Sequence, residues 1–163
     1  MSSAGSGAGG DHLARRSELS ASRAGMPELK DVLIVEDETF DAERLRATLR
    51  VIFGYALDIR RATTLGSALD SVIEKKPDLL FLDDYLKPSD TASETIPFLR
   101  RAGYEGPIVV VSGQVDKQRR AELIAAGARD TIHKDHLDSV RVAEALVRVF
   151  KSQSARPAKP TGG

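Results

Sequence analysis

Cysteine and tryptophan are absent from the 163 residues, and aromatic side chains make up only 5%. Without cysteine neither a disulfide framework nor a thiolate metal site can form, and a reducing compartment is compatible with the composition. An excess of either charge is missing too, because 24 Lys+Arg offset 24 Asp+Glu. The chain as a whole therefore lacks the positive charge by which nucleic-acid binders attract phosphate backbones. Long apolar runs are also missing. Stretches such as Val32–Val35 and Ile108–Val111 fall far short of the ~20 residues that span a bilayer, and the first residues lack the apolar core of a secretory signal. These absences predict a soluble, cytoplasmic protein without membrane or DNA-binding segments.

What is present suits one domain: 41% of the residues are hydrophobic, enough for one core and little more at this length. Residues 1–27 are rich in Gly, Ser, Ala and Arg, cannot bury enough apolar surface to offset the entropy of ordering, and are expected to form a disordered tail. Residues 152–163 read the same way, which leaves 28–151 for the folded domain. Gly5, Gly7, Gly9 and Gly10 superficially suggest a phosphate-binding loop, but no strand precedes them. Met26-Pro27, directly before the first predicted strand, offers an alternative start.

Between the tails, short apolar runs alternate with segments of helical spacing. Val32–Val35 reads as a buried strand, and Leu45, Thr48, Leu49 and Ile52 recur at helical spacing in a helix ending near Gly54. Leu57–Ala62 is a weaker second strand. Leu65, Ala68, Leu69, Val72 and Ile73 form the next helical stripe, closed by Lys75, Lys76 and Pro77. A third strand spans Leu79–Leu82. A loop from Lys87 to Ala92 then leads to a helix expected to hold Pro97 in its first turn and to end at Gly103. Ile108–Val111 is the fourth strand, Asp116 caps a helix running to Gly127, Asp130–His133 is the fifth strand, and a last helix runs from Asp138 to about Phe150. The predicted fold is α/β: a five-stranded parallel sheet with helices on both faces, since right-handed crossovers place helices on each side.

Function in such sheets collects at the carboxyl ends of the strands. There the sequence puts Glu36-Asp37-Glu38, Asp83-Asp84, Ser112-Gly113 and His133-Lys134. Crowded carboxylates repel unless a hard cation joins them, and magnesium favours a few carboxylate oxygens plus water. A phosphoryl group brought to that point could be held by Lys134, the Ser112 hydroxyl and the Gly113 N–H while Asp83 attacks phosphorus. Taken singly each of these is bland: Glu36 and Asp37 could cap a helix, Ser112-Gly113 could be an ordinary turn, and Lys134 a surface lysine.

Four segments together are more specific. Val-Leu-Ile-Val-Glu-Asp-Glu, Pro-Asp-Leu-Leu-Phe-Leu-Asp, Pro-Ile-Val-Val-Val-Ser-Gly and Gly-Ala-Arg-Asp-Thr-Ile-His-Lys resemble, in order and spacing, the signature segments of response-regulator receiver domains. The resemblance covers about residues 30–150 and implies the (βα)5 flavodoxin-like fold with strand order 2-1-3-4-5. It also implies roles: Glu36 and Asp37 as the acidic pair for Mg2+, Asp83 as phosphoacceptor and third metal ligand, Ser112 as switch hydroxyl, and Lys134 as phosphate-binding lysine. Tyr85 and Gln114 would flank the path of hydrolytic water. The implied partner is a sensor histidine kinase or phosphotransfer protein, with a homodimer as a further option.

Three departures from the family pattern stand out. Pro88 lies four residues after Asp84 but five after Asp83; Pro77, six before Asp83, favours Asp83 and makes Lys87 an insertion, with Asp84 as the alternative acceptor. Thr131 occupies the place of an aromatic rotor. Asp135 follows Lys134 where proline is usual. The expectation is a single-domain response regulator that is no enzyme beyond its own phosphorylation and dephosphorylation. Two alternatives stay open: a phosphorylation-independent pseudo-receiver and an aspartyl-phosphate phosphohydrolase, the latter disfavoured by Tyr85 where a second aspartate is expected. A zinc site from His133, His136 and His12 is a weaker reading.

Overall fold

A computed structural model describes residues 26–155, with side chains to residue 151. In chain order the elements are β1 (Asp31–Val35), α1 (Thr39–Phe53), β2 (Asp58–Ala62), α2 (Leu65–Glu74), β3 (Leu79–Asp83), β4 (Tyr85–Leu86), β5 (Asp90–Thr91), α3 (Ala92–Arg101), β6 (Ile108–Ser112), α4 (Lys117–Ala126), β7 (Asp130–His133) and α5 (Ser139–Ala155). A 3-10 turn at Lys134–His136 separates β7 from α5. The five long strands form one parallel sheet in the order β2-β1-β3-β6-β7, as the resemblance implied.

The central strands β1, β3 and β6 are buried along their whole length, which explains why they read as continuous apolar runs. Successive side chains point to opposite faces. Val32, Ile34, Phe81 and Val109 pack with Leu45, Leu49 and Ile52 of α1 and Val142, Leu146 and Val149 of α5. Leu33, Leu80, Leu82 and Val110 pack instead with Val72 of α2, Ile96 and Leu99 of α3 and Leu123 of α4. Each such buried side chain contributes roughly 1.5–3 kcal/mol of hydrophobic stabilisation. The outer strands are β2 and β7, and β2 carries Arg60 and Arg61 in its middle.

Several elements differ from expectation. Pro97 lies inside α3, not in its first turn, because a capping box between Thr91 and Glu94 starts the helix at Ala92. The proline ring lacks the N–H that would bond the Ser93 carbonyl one turn back. Ile73 is 67% exposed, although its spacing placed it on the buried stripe of α2. The expected loop Lys87–Ala92 supplies one strand of a two-stranded antiparallel ribbon, in which Tyr85 lies opposite Thr91 and Leu86 opposite Asp90. Helix α5 continues to Ala155, past Phe150. Asp116 does cap α4 by accepting from the Arg119 N–H at 2.7 Å, and Gly127 ends that helix in the left-handed region at φ 119°. Of the tails expected at 1–27 and 152–163, residues 152–155 continue α5, while 1–25 and 156–163, with His12 and the glycine cluster, lie outside the described residues.

Candidate functional site

Parallel strands deliver their last residues to one edge, and four of them end in polar side chains. Asp83 is the last residue of β3 and Ser112 of β6, Glu36 follows β1, and Lys134 follows β7. Glu36, Asp37 and Asp83 each offer a carboxylate oxygen, and these oxygens all lie within 4.8 Å of one another. The Lys134 ammonium stands 3.2 Å from Asp83 Oδ1 and 3.5 Å from Glu36 Oε1. Its third carboxylate is Asp41, at 3.0 Å.

Surrounding groups hold the backbone of this edge in place. Arg61 Nε donates to the Glu36 carbonyl at 3.0 Å, Arg61 Nη2 donates to that of Asp37 at 3.2 Å, and Arg44 Nη2 donates to that of Lys134 at 3.0 Å. The Lys87 N–H donates to Asp37 Oδ2 at 3.1 Å, while its ammonium lies 2.8 Å from Glu38 Oε1. The residue that the sequence reading treated as an insertion thus leans over the acidic pair.

Electrostatics follow from crowding. Burial, together with a hydrogen bond to Asp83, pushes the Glu36 carboxyl up to about 8. Burial works against the charge of Lys134, yet its hydrogen bond to Asp41 and the charges of Asp83 and Glu36 outweigh it and raise its pKa. Hard carboxylate oxygens clustered about one point fit a hard divalent cation such as magnesium. The upward shift of Glu36 comes first from its burial and then from Asp83 beside it, and a cation bound among these oxygens would oppose it.

Asp37, Asp83, Tyr85, Ser112, Gly113, Gln114 and Lys134 line one cleft over this edge. Glu36 lies beneath it, buried beside Asp41. Tyr85 is half-exposed and donates its phenol hydroxyl to the Pro88 carbonyl. Gln114 closes a turn in which its N–H donates to Ser112 Oγ at 3.1 Å. Asp84, the alternative acceptor, lines the same cleft, but its carboxylate already accepts from Ser112 Oγ at 2.8 Å and from Arg119.

Thr131 is not brought to the cleft. It is buried in β7, where its Oγ1 accepts from Arg120 Nη1 at 3.1 Å. His133 and His136 face each other at a tilt of 43° with ring centroids 5.4 Å apart and belong to no metal-ligand cluster among the described residues. Sequence reasoning missed Asp41 and Arg119. Asp41 stands in the first turn of α1, and its place in a helix that begins at the site was the available signal; for Arg119 no local signal exists.

Comparison with known proteins accords with this geometry. The response regulator receiver domain family matches residues 32–146. The nitrogen assimilation regulatory protein NtrX of Azorhizobium caulinodans is 33% identical over 105 residues, covering 64% of this chain and 22% of that protein. This chain thus corresponds to about a fifth of its curated relative. Among solved structures, NtrX from Brucella abortus is 26% identical with a TM-score of 0.63, covering 77% of this chain and 28% of that one. The chemotaxis response regulator CheY4 of Vibrio cholerae shares the fold at 20% identity and a TM-score of 0.64, covering 74% of this chain and 98% of that one. With the family matched across most of its length and the sheet order that the fold requires, the chain belongs to the response regulator receiver domains of two-component signalling.

Proposed function

We propose that this receiver domain accepts a phosphoryl group on Asp83 from the phosphohistidine of a sensor histidine kinase or phosphotransfer protein, and that this switches partner binding or self-association. The observation that carries the reading is Asp83 Oδ1, 3.2 Å from the Lys134 ammonium at the floor of an open cleft. An Asp83 oxygen attacks phosphorus, an O–P bond forms, the P–N bond breaks, and its electron pair stays on the leaving imidazole. Lys134 offsets the charge on the phosphoryl oxygens, and the Ser112 hydroxyl and Gly113 N–H are within the same cleft to receive them. Glu36, Asp37 and Asp83 would hold Mg2+, which when bound supplies positive charge to the transferring group. Asp84 is a poor acceptor in this arrangement, because Arg119 and Ser112 already occupy its carboxylate.

The chemistry is self-phosphorylation and slow hydrolysis rather than turnover of a small ester, with Tyr85 and Gln114 at the rim of the water path. Incubation with acetyl phosphate or a phosphorylated kinase and magnesium should add one phosphoryl group by intact mass, and Asp83→Asn should take up none. Labelling that persists in Asp83→Asn but is lost in Asp84→Asn would move the acceptor by one residue. No labelling of the wild type would leave the pseudo-receiver reading, and release of many phosphates per chain from an ester would favour the phosphohydrolase.

A further inference from the structure

The Ser112 hydroxyl is already engaged in this structure, and not by Asp83. Its Oγ lies 2.8 Å from Asp84 Oδ2 and 3.0 Å from the Gln114 carbonyl. Asp84 in turn is gripped by Arg119 of α4: Nε lies 3.1 Å from Oδ2, and Nη2 closes on Oδ1. The same guanidinium reaches Ser93 Oγ in the first turn of α3 at 3.2 Å. Both backbone groups of Asp84 are bound as well, its N–H to the Val111 carbonyl at 3.0 Å and its carbonyl to the Ala92 N–H at 2.9 Å. The carboxylate is therefore held where β3, β6, α3 and α4 meet.

We propose that Asp84 and Arg119 form a latch that positions the switch hydroxyl in the resting state, Asp84 holding Ser112 and Arg119 tying that contact to the start of α4. The proposal rests on the reading of Asp83 as phosphoacceptor. A hydroxyl has one proton, so Ser112 cannot donate to Asp84 and to a phosphoryl oxygen on Asp83 at the same time. Engagement of the phosphoryl group breaks the Ser112–Asp84 contact and leaves the Asp84 carboxylate to Arg119. The neighbouring Arg120 contacts Asp130 at 2.7 Å and Thr131 Oγ1 at 3.1 Å. A shift in the first turn of α4 is thereby passed to β7 without an aromatic rotor. Asp84 and Arg119 are positioning residues, because they act through Ser112.

The test uses beryllofluoride with saturating magnesium as the phosphoryl mimic, on the full chain. Asp84→Asn weakens the acceptor that competes for Ser112 and should raise beryllofluoride affinity on the order of fivefold, the difference between a charged and a neutral hydrogen bond. In a Ser112→Ala background the same substitution should have no such effect, a non-additivity that a merely structural role would not produce. In the mimic-free protein, Arg119→Gln should raise amide exchange in residues 114–120 to the level of the beryllofluoride-bound wild type. Unchanged or weaker mimic binding in Asp84→Asn, or equal gains with and without Ser112, overturns the latch while leaving Asp83 as acceptor. Failure of the wild type to bind the mimic overturns the reading of Asp83 and the latch with it.

Discussion

The two ends of the sheet treat acidic residues in opposite ways. At the amino ends of the strands each buried carboxylate has its own cation or donors. Asp31 accepts from Arg60 Nε at 3.0 Å and Nη2 at 2.7 Å, and Asp130 accepts from Arg120 Nη1 at 2.7 Å with Arg148 Nε at 3.4 Å. Asp78, which is exposed, also takes two donors, the Lys30 and Asp31 N–H groups. At the carboxyl ends Glu36, Asp37 and Asp83 crowd together, and a single ammonium, Lys134, is shared between Glu36, Asp83 and Asp41. Paired acids have their charge already offset. Acids left short of positive charge store repulsion that an incoming cation and phosphoryl chemistry can use.

This contrast can be broken most severely at the amino end. Arg60→Ala leaves Asp31 buried without its bidentate partner, and denaturant titration should show a loss of roughly 3–5 kcal/mol. The folded fraction should still take up acetyl phosphate as the wild type does; reduced uptake per folded molecule would mean that the two ends are not independent. At the carboxyl end the order inverts: Lys134→Ala should lower the phosphorylation rate about a hundredfold or more, as loss of a charge-stabilising donor does. Its folding stability should fall too, because the ammonium offsets the crowded carboxylates, but by less than in Arg60→Ala; an equal fall would recast Lys134 as a structural counter-ion.

Magnesium sharpens the same distinction. A hundredfold excess over its dissociation constant should stabilise the protein by about 2.7 kcal/mol through linkage, read as a rise in Tm that Asp37→Asn removes. Without the metal, Glu36 gives the stability a pH slope. Its pKa is raised from 4.5 to about 8 in the folded state, so between these values the folded protein holds a proton that the unfolded chain has lost. Stability therefore falls as pH rises through that window and levels off above it. Glu36→Gln should flatten the slope in chelator, and an unchanged slope would place its source elsewhere. The smallest effect is expected from Thr131→Val, which removes one of the contacts of Arg120 and should cost no more than about 1 kcal/mol without altering phosphorylation.

Much of this arrangement is legible in the chain because it depends on local pattern. Buried central strands must be continuous apolar runs, so β1, β3 and β6 stand out, and their last residues announce which side chains share an edge. What escapes the sequence is what depends on distance or on very short elements. Two-residue strands such as β4 and β5 show no periodicity, and the loop reading of Lys87–Ala92 followed. Pro97 misled because a capping box can start a helix upstream of a proline that the helix then tolerates. Ile73 fits a helical stripe, yet α2 turns only a narrow face, Ala68 and Val72, fully inward. The pairing of Asp84 with Arg119 joins residues 35 apart, and no spacing rule predicts which of several arginines reaches a given carboxylate.

The borders of the sheet have a consequence for how the molecule meets its own kind. An open strand invites a second chain to continue the ladder, and that is a common route to aggregation. Here one border carries adjacent arginines in a five-residue strand, and the other is a four-residue strand that runs straight into a tight turn. Neither offers a long, flat, uncharged template. If copies of the chain associate, the helical flanks are the surfaces left for it, where side chains and not backbone ladders would decide which surfaces match.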